Sequence, residues 1–187
     1  LKRGKIMQKK DVILRGLAFE GEVSVAVADT TQLVNEAIRI HGLSPLAAAA
    51  LGRTLTVAAY MCSSLKAERG ALSVSVKGNG VGGSIYVSGD KSLHMRGYIE
   101  NPNVDLPPND KGKLDVGGCV GKEGYLSVVR DDGDNRPFVG TTALVSGEIG
   151  EDFAAYYAES EQLPTAIAVG VKIGKDGKCL GAGGVFL

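Results

Sequence analysis

Five scarce side chains carry most of the nucleophilic or metal-binding chemistry in this sequence: His41, His94, Cys62, Cys119 and Cys179. Neither histidine has a second histidine or a cysteine at ligand spacing, and no two cysteines form a C-x-x-C pair. We expect Cys62, inside an apolar segment, to be inert and Cys119, in GGCVG, to be exposed. The sequence therefore predicts no catalytic residue and no metal ligand, although a constellation assembled only in space stays open.

The three cysteines also indicate a compartment. They are odd in number and far apart, so they predict neither a disulfide framework nor a zinc site. They are typical of a reducing environment, and the chain is predicted to be cytoplasmic.

A glycine-rich segment, KGNGVGGS, places Gly78, Gly80 and Gly83 in the spacing G-x-G-x-x-G after a predicted strand. A dinucleotide site needs the third glycine to begin a helix, because the first amides of that helix hold the pyrophosphate. Here SIYVSG continues as a strand, which favours a flexible hairpin turn. The alternative interpretation is a small-ligand-binding enzyme with its site near residues 78–83, and calorimetry with nucleotides would discriminate between the two.

Composition excludes several classes of protein. Lys plus Arg and Asp plus Glu are 21 each, so no basic field would attract nucleic acid. Hydrophobic residues make up 44%, which excludes a disordered chain, and 27 glycines predict many turns between short strands. Residues 1–10 are interpreted as an N-terminal tail, in part a cloning remnant, with Met7 as a candidate start and no signal peptide.

The N-terminal third alternates between strand and helix patterns. Residues 11–28 predict a strand, with Val23, Val25 and Val27 on one face. Asp29 and Gln32 resemble a capping box that opens a short amphipathic helix ending at Gly42. Ser44 and Pro45 begin a helix that is apolar nearly all round to Leu65. We expect this helix to be buried at the centre of the fold rather than to span a membrane.

The remaining patterns are mostly those of strands. Residues 71–99 predict an antiparallel meander, 101–113 a long surface loop, and 124–147 a hairpin. An acidic helix is predicted from Glu148 to Leu163, followed by a hairpin with Asp176-Gly177 in its turn. The predicted class is α+β, with antiparallel or mixed sheets packed around a largely buried central helix and further helices on one face.

Longer motifs carry a family resemblance. GEIGEDFAAYYAESEQLPTAIAVGV, followed by GAGGVFL, resembles the 33-kilodalton heat-shock chaperones, the redox-regulated holdases of bacteria. DTTQLVNEAIRIHGLSPLAAAALGRTLT, KGNGVGG, RGYIENPNVDLP and GKLDVGGCVGKEGYLSVVRDDG agree in the same order, so the resemblance covers residues 11–187. It implies an ATP-independent chaperone domain that binds unfolded or partially folded client proteins. We also expect a homodimer.

Family members continue with a helical linker and a C-terminal zinc module, whose four thiolates lie in a C-x-C and a C-x-x-C. Neither motif occurs in this sequence, so zinc is expected only in a module absent from this chain. The three cysteines match none of the family's ligand positions and cannot be assigned as the redox switch. Residues 11–187 are therefore interpreted as the client-binding domain without its regulator.

Strand alternation selects two candidate client-binding residues. In the predicted meander, Ile85, Val87 and Ile99 share the inward face, so Tyr86 and Tyr98 point outward. Aromatic side chains offer a large contact area at low entropic cost, which favours them as anchors. The alternative, that both tyrosines pack beneath the linker or against a dimer partner, stays open.

Overall fold

The computed structural model describes residues 10–133 and 136–187, so the predicted N-terminal tail lies outside it except for Lys10. One sheet contains, in spatial order, β1 (Val12–Ala18), β2 (Val23–Asp29), β9 (Cys179–Phe186) and β8 (Ile167–Ile173). The other contains β5 (Arg96–Ile99), β4 (Ile85–Asp90), β3 (Ala71–Lys77), β6 (Tyr125–Asp131) and β7 (Phe138–Ala143). The helices are α1 (Thr31–His41), α2 (Pro45–Cys62), α3 (Val116–Val120) and α4 (Gly150–Glu159). Two antiparallel sheets with helices confirm the α+β class.

The first predicted strand is a hairpin. Residues 11–28 fold as β1 and β2, paired from Val12↔Asp29 to Ala18↔Val23. The chain reverses at Phe19–Gly21, where all three residues have positive φ. The alternation in EVSVAVA predicted β2 correctly, but the turn was missed because Phe19 and Glu20 are not typical of left-handed backbone.

Helix α1 is capped from a distance. The predicted capping box of Asp29 with Gln32 is wrong, because Asp29 accepts a hydrogen bond from the Thr31 N–H instead (3.1 Å). The carboxylate of Asp11 accepts from the N–H groups of Gln32 (2.8 Å) and Leu33 (2.7 Å). Thus a residue immediately before β1 satisfies two amides that the helix cannot satisfy itself.

Helix α2 is the centre of the molecule. The Ser44 hydroxyl accepts from the Ala47 N–H (3.1 Å), and Pro45 occupies the first turn, as predicted. Its length and mean hydropathy of 1.2 would also suit a membrane span, but 83% of that window is buried inside the fold. Both sheets and α1 pack against it, so a helix without a polar face is explained by burial on every side.

Helix α4 is shorter than predicted, and one of its acids is buried. It ends at Glu159 rather than at Leu163, and the chain turns at Gln162, which has a positive φ of 53°. Asp152, one of the acids of this predicted acidic helix, is 1% exposed. Its Oδ1 accepts from Val145 (2.7 Å), Ser146 (3.0 Å) and Gly147 (3.2 Å), and its Oδ2 accepts from Ile149 (2.8 Å). Asp152 therefore ties the loop after β7 to the first turn of α4.

The remaining strand predictions are confirmed. Strands β3, β4 and β5 form the antiparallel meander, and β6 with β7 and β8 with β9 form the two later hairpins. Gly177 has the left-handed φ (77°) that its turn requires. Residues 101–113 contain no helix or strand and cross the surface, where the Ser44 hydroxyl donates to the Val104 carbonyl (2.6 Å).

Candidate functional site

The scarce nucleophiles are not assembled into a reactive site. Cys62, Cys119 and Cys179 are all buried and free, so the prediction that Cys119 is exposed is wrong. Burial raises the pKa of the Cys62 thiol to about 12 and that of Cys119 to about 11. Thiols of such pKa are almost entirely protonated at neutral pH and react slowly. Within residues 10–133 and 136–187, no three His, Cys, Asp or Glu side chains lie close enough to hold a metal ion.

The glycine-rich segment is a turn between β3 and β4. The N–H of Gly80 donates to the Val120 carbonyl (2.9 Å), and the N–H of Gly82 donates to the Cys119 carbonyl (2.8 Å). A Cβ at Gly80 would lie 2.3 Å from the Cys119 carbonyl oxygen, so the two backbones pack directly together. These two amides are engaged with the α3 segment, and no helix follows to hold a phosphate.

The two predicted tyrosines lie together on the outer face of the five-stranded sheet. Tyr86 and Tyr98 pair across β4 and β5, with ring centroids 5.2 Å apart and stacked. Ile85, Val87 and Ile99 are buried on the opposite face, as the alternation predicts. Tyr98 is 47% exposed. The role of the pair in client binding stays a prediction.

The tyrosines belong to a row that crosses all five strands. We call it the tyrosine row, and it comprises Tyr98, Tyr86, Ser75, Ser127 and Thr141. The Ser127 and Thr141 hydroxyls are hydrogen-bonded to each other (2.9 Å), and the Lys77 ammonium lies 5.5 Å from the Tyr86 ring centroid. A groove of about 720 Å³ separates this region from α1. The row is thus amphipathic, with aromatic area at one edge and hydroxyls across the middle.

The four-stranded sheet presents a different outer surface. Its inner face packs on α2, whereas no described element covers the outer one. We call this surface the aliphatic face, and it comprises Val12, Leu14, Val23, Val25, Val27, Ala168 and Val185. Cross-strand pairs join Leu14 to Val27, Val27 to Val185, and Val185 to Ala168. One apolar row therefore crosses all four strands. Leu14 is 63% exposed and Val27 is 45% exposed.

The alternation of valines in β2 marked the residues of the aliphatic face but not its direction. Val23, Val25 and Val27 do share a face, but the buried face of β2 carries Ala26 and Ala28. Alternation of valine with alanine and serine suggests that the larger side chains point inward, and here they point outward. Only the packing of α2 on the alanine side shows which face is solvated.

Comparison with known proteins identifies the family. Residues 11–187 match the family described as Hsp33 protein. The 33 kDa chaperonin of Clostridium botulinum (strain Hall) is 44% identical over 178 residues, and that of Acetivibrio thermocellus is 49% identical over 178 residues. Each alignment covers 95% of this chain and 60% of the relative. The chain belongs to the Hsp33 family.

A solved structure of an Hsp33 relative agrees with the fold. The crystal structure of the 33 kDa chaperonin (heat shock protein 33 homolog) from Thermotoga maritima superposes with a TM-score of 0.85 at 42% identity. The match covers 93% of this chain and 60% of that one. This chain therefore spans 60% of the length of these chaperonin relatives, and its α+β fold matches that of the solved Hsp33 structure.

Proposed function

We propose that this domain is an ATP-independent holdase, which binds unfolding proteins and keeps them from aggregating under heat and oxidative stress. The observation that carries the proposal is the aliphatic face, a row of apolar side chains across four strands with no described element over it. A soluble domain gains nothing in folding from a solvated row of this kind, whereas a surface that binds apolar segments requires one. Holding needs contact area and no bond chemistry, in keeping with a chain whose thiols are buried.

The tyrosine row is the second part of this proposed client surface. Stacked aromatic side chains supply contact area at low entropic cost, and the adjacent hydroxyls accept and donate hydrogen bonds to an unfolded backbone. A single small patch would bind a client weakly, because association costs about 4 to 15 kcal/mol before any contact is made. Two surfaces, doubled in a homodimer, would raise the avidity.

Regulation belongs to the part of the relatives that this chain does not span. We propose that a linker and a zinc-binding thiolate module cover the client surface in the longer proteins, and that oxidation removes this cover in the cytoplasm. Removing the cover shifts a two-state equilibrium toward the binding-competent form. The present domain, without C-x-C or C-x-x-C, would then be active in either redox state.

Light scattering of a chemically denatured client tests both parts. We expect the domain to suppress aggregation without ATP, and to do so equally well with dithiothreitol and with peroxide. Activity only after peroxide would assign a switch to Cys62, Cys119 or Cys179. No activity in either condition, together with no binding of a hydrophobic dye, would refute the holdase proposal for this domain. Heat of binding on addition of ATP or NAD in calorimetry would support the alternative of a small-ligand-binding enzyme with its site near residues 78–83.

A further inference from the structure

Strand β8 is an edge strand with unused backbone groups. Among the described strands it pairs only with β9, and Ala166 and Leu187 exchange two N–H to carbonyl hydrogen bonds of 3.0 Å just beyond the strand ends. Hydrogen-bonded pairs alternate along an antiparallel ladder, so Ala168 and Gly170 also bond to β9. The N–H and carbonyl groups of Val169 and Val171 therefore point away from the sheet. Gly150 of α4 lies beside the Ile167 carbonyl, so the part of this edge that is open to another strand is at Val169 and Val171.

The groove beside this edge is lined by more basic than acidic side chains. A groove of about 360 Å³ is lined by Ile167 and Val169 of this strand and also by Arg53, Lys111 and Lys113. Arg53 is paired with Glu148, which also lines the groove. Lys111 and Lys113 are exposed, and neither forms an ion pair with a side chain in the described ranges. Two unpaired lysines face one further acid, Glu151, so the groove is net positive.

We propose that the free edge of β8 binds an extended client segment by antiparallel strand addition, and that the preferred segment alternates apolar with acidic residues. Residues directly opposite each other in an antiparallel pair have side chains on the same face. Client residues opposite Val169 and Val171 would therefore point to the inner side, toward the lysines of the groove. The residues between them would point outward beside Ala168 and extend the apolar row of the aliphatic face.

This inference rests on the proposed holdase function and specifies its substrate. A second copy of the chain is a poorer occupant of the same edge. Antiparallel pairing of two β8 strands would bring the Lys111 and Lys113 of both copies to one seam, where like charges repel. An acidic partner strand is complementary to that seam instead.

Backbone methylation tests the pairing without changing the protein. A fluorescein-labelled octapeptide of alternating valine and glutamate should bind, as measured by anisotropy, and should shift the amide resonances of Val169 and Val171. Methylating the glutamate nitrogens removes the donors that face β8, so we expect about tenfold weaker binding. Methylating the valine nitrogens is the matched control, because those N–H groups face solvent, and should change affinity by less than about twofold. Equal effects of both methylations would overturn the proposal.

A charge reversal tests the groove. Lys111→Glu with Lys113→Glu should weaken peptide binding about tenfold, and Lys122→Glu, another exposed lysine outside the groove, should leave binding unchanged. If the domain suppresses client aggregation but does not bind the peptide, the edge proposal fails and the holdase proposal stands. If it does neither, the holdase proposal fails and this inference falls with it. A dimer in sedimentation, together with Val169 and Val171 amides protected from hydrogen exchange, would show instead that a second copy of the chain pairs with this edge.

Discussion

The outer faces of the two sheets differ in chemistry although both sheets are antiparallel and both pack their inner faces on α2. In the five-stranded sheet, buried Val74 and Val76 alternate with Ser73 and Ser75, the usual pattern of a half-solvated sheet. In the four-stranded sheet, apolar residues occupy both sides, so that buried Ala26 alternates with exposed Val27. Folding explains the pattern of β3, although β6 and β7 of the same sheet expose the cross-strand pair Val129 and Val139. The second pattern leaves an apolar row that no element within residues 10–133 and 136–187 buries.

The comparison also separates two ways of holding a partner. The aliphatic face offers area without hydrogen-bonding side chains, so its binding is non-directional and suits clients of any sequence. The tyrosine row adds hydroxyls and aromatic rings, which are directional. We therefore expect most of the affinity for clients at the aliphatic face and a smaller contribution at the tyrosine row.

The largest expected effect is a loss of stability, from a substitution in the scaffold that supports both faces. Asp152→Ala removes the acceptor of four N–H groups, of which those of Gly147 and Ile149 are buried, and we expect the free energy of unfolding to fall by about 3 kcal/mol. Urea denaturation measures it. Glu151→Ala, an exposed acid in the same turn, is the control and should cost less than about 1 kcal/mol. A loss below about 1 kcal/mol for Asp152→Ala would show that water replaces the carboxylate.

The next effect should distinguish the two faces directly. Leu14→Arg with Val27→Glu converts a cross-strand apolar pair of the aliphatic face into an ion pair, with no change in net charge. Each lost apolar contact is worth about 1.5 to 3 kcal/mol when buried by a client, so holding should weaken more than tenfold. Suppression of client aggregation at graded domain concentrations measures this loss.

The matched control lies on the other sheet. Val139→Arg with Val129→Glu makes the same exchange in a cross-strand pair of similar exposure, and holding should change by less than about twofold. Melting temperatures of both double variants should stay within a few degrees of the parent, because all four side chains are exposed. Equal losses of holding in the two variants would refute the ranking of the faces.

A smaller effect is expected at the tyrosine row. Tyr86→Ser with Tyr98→Ser removes the stacked pair, and client holding should weaken about threefold because one of two surfaces loses its anchors. The thermal transition should be nearly unchanged. Tyr125→Ser, on the same outer face in β6 but outside the row, is the control. A collapse of stability would show that the pair belongs to the core.

Modification of the thiols should have the smallest effect on client holding, since neither the aliphatic face nor the tyrosine row contains a cysteine. A thiol whose pKa is raised to about 11 or 12 is about 0.1% thiolate or less at pH 8, against a substantial fraction for an ordinary cysteine. Iodoacetamide should therefore label Cys62 and Cys119 more than about 100-fold more slowly than a free cysteine, as measured by mass spectrometry. Labelling should speed up as pH rises toward those pKa values. Rapid labelling at pH 8 would mean that the fold opens locally.

Local signals in the sequence determined the elements of this fold. Ser44 with Pro45 begins α2, Gly42 ends α1 in the left-handed conformation (φ 62°), and Asp176-Gly177 turns the last hairpin. The unbroken apolar pattern of α2 required burial on all sides. Strand alternation placed Tyr86 and Tyr98 outward. Each of these follows from interactions within a few residues, which is why one sequence suffices to predict them.

Contacts between distant segments decided what local patterns left open. The cap of α1 comes from Asp11, 21 residues before the amide it binds, and Cys119 is buried because the turn at Gly80 and Gly82 packs over it. Asp152 is buried because the loop after β7 wraps its carboxylate. The outward direction of Val27 depends on which side of β2 meets α2. Alternation defines two faces of a strand but does not determine which one is solvated, because that depends on what packs against it.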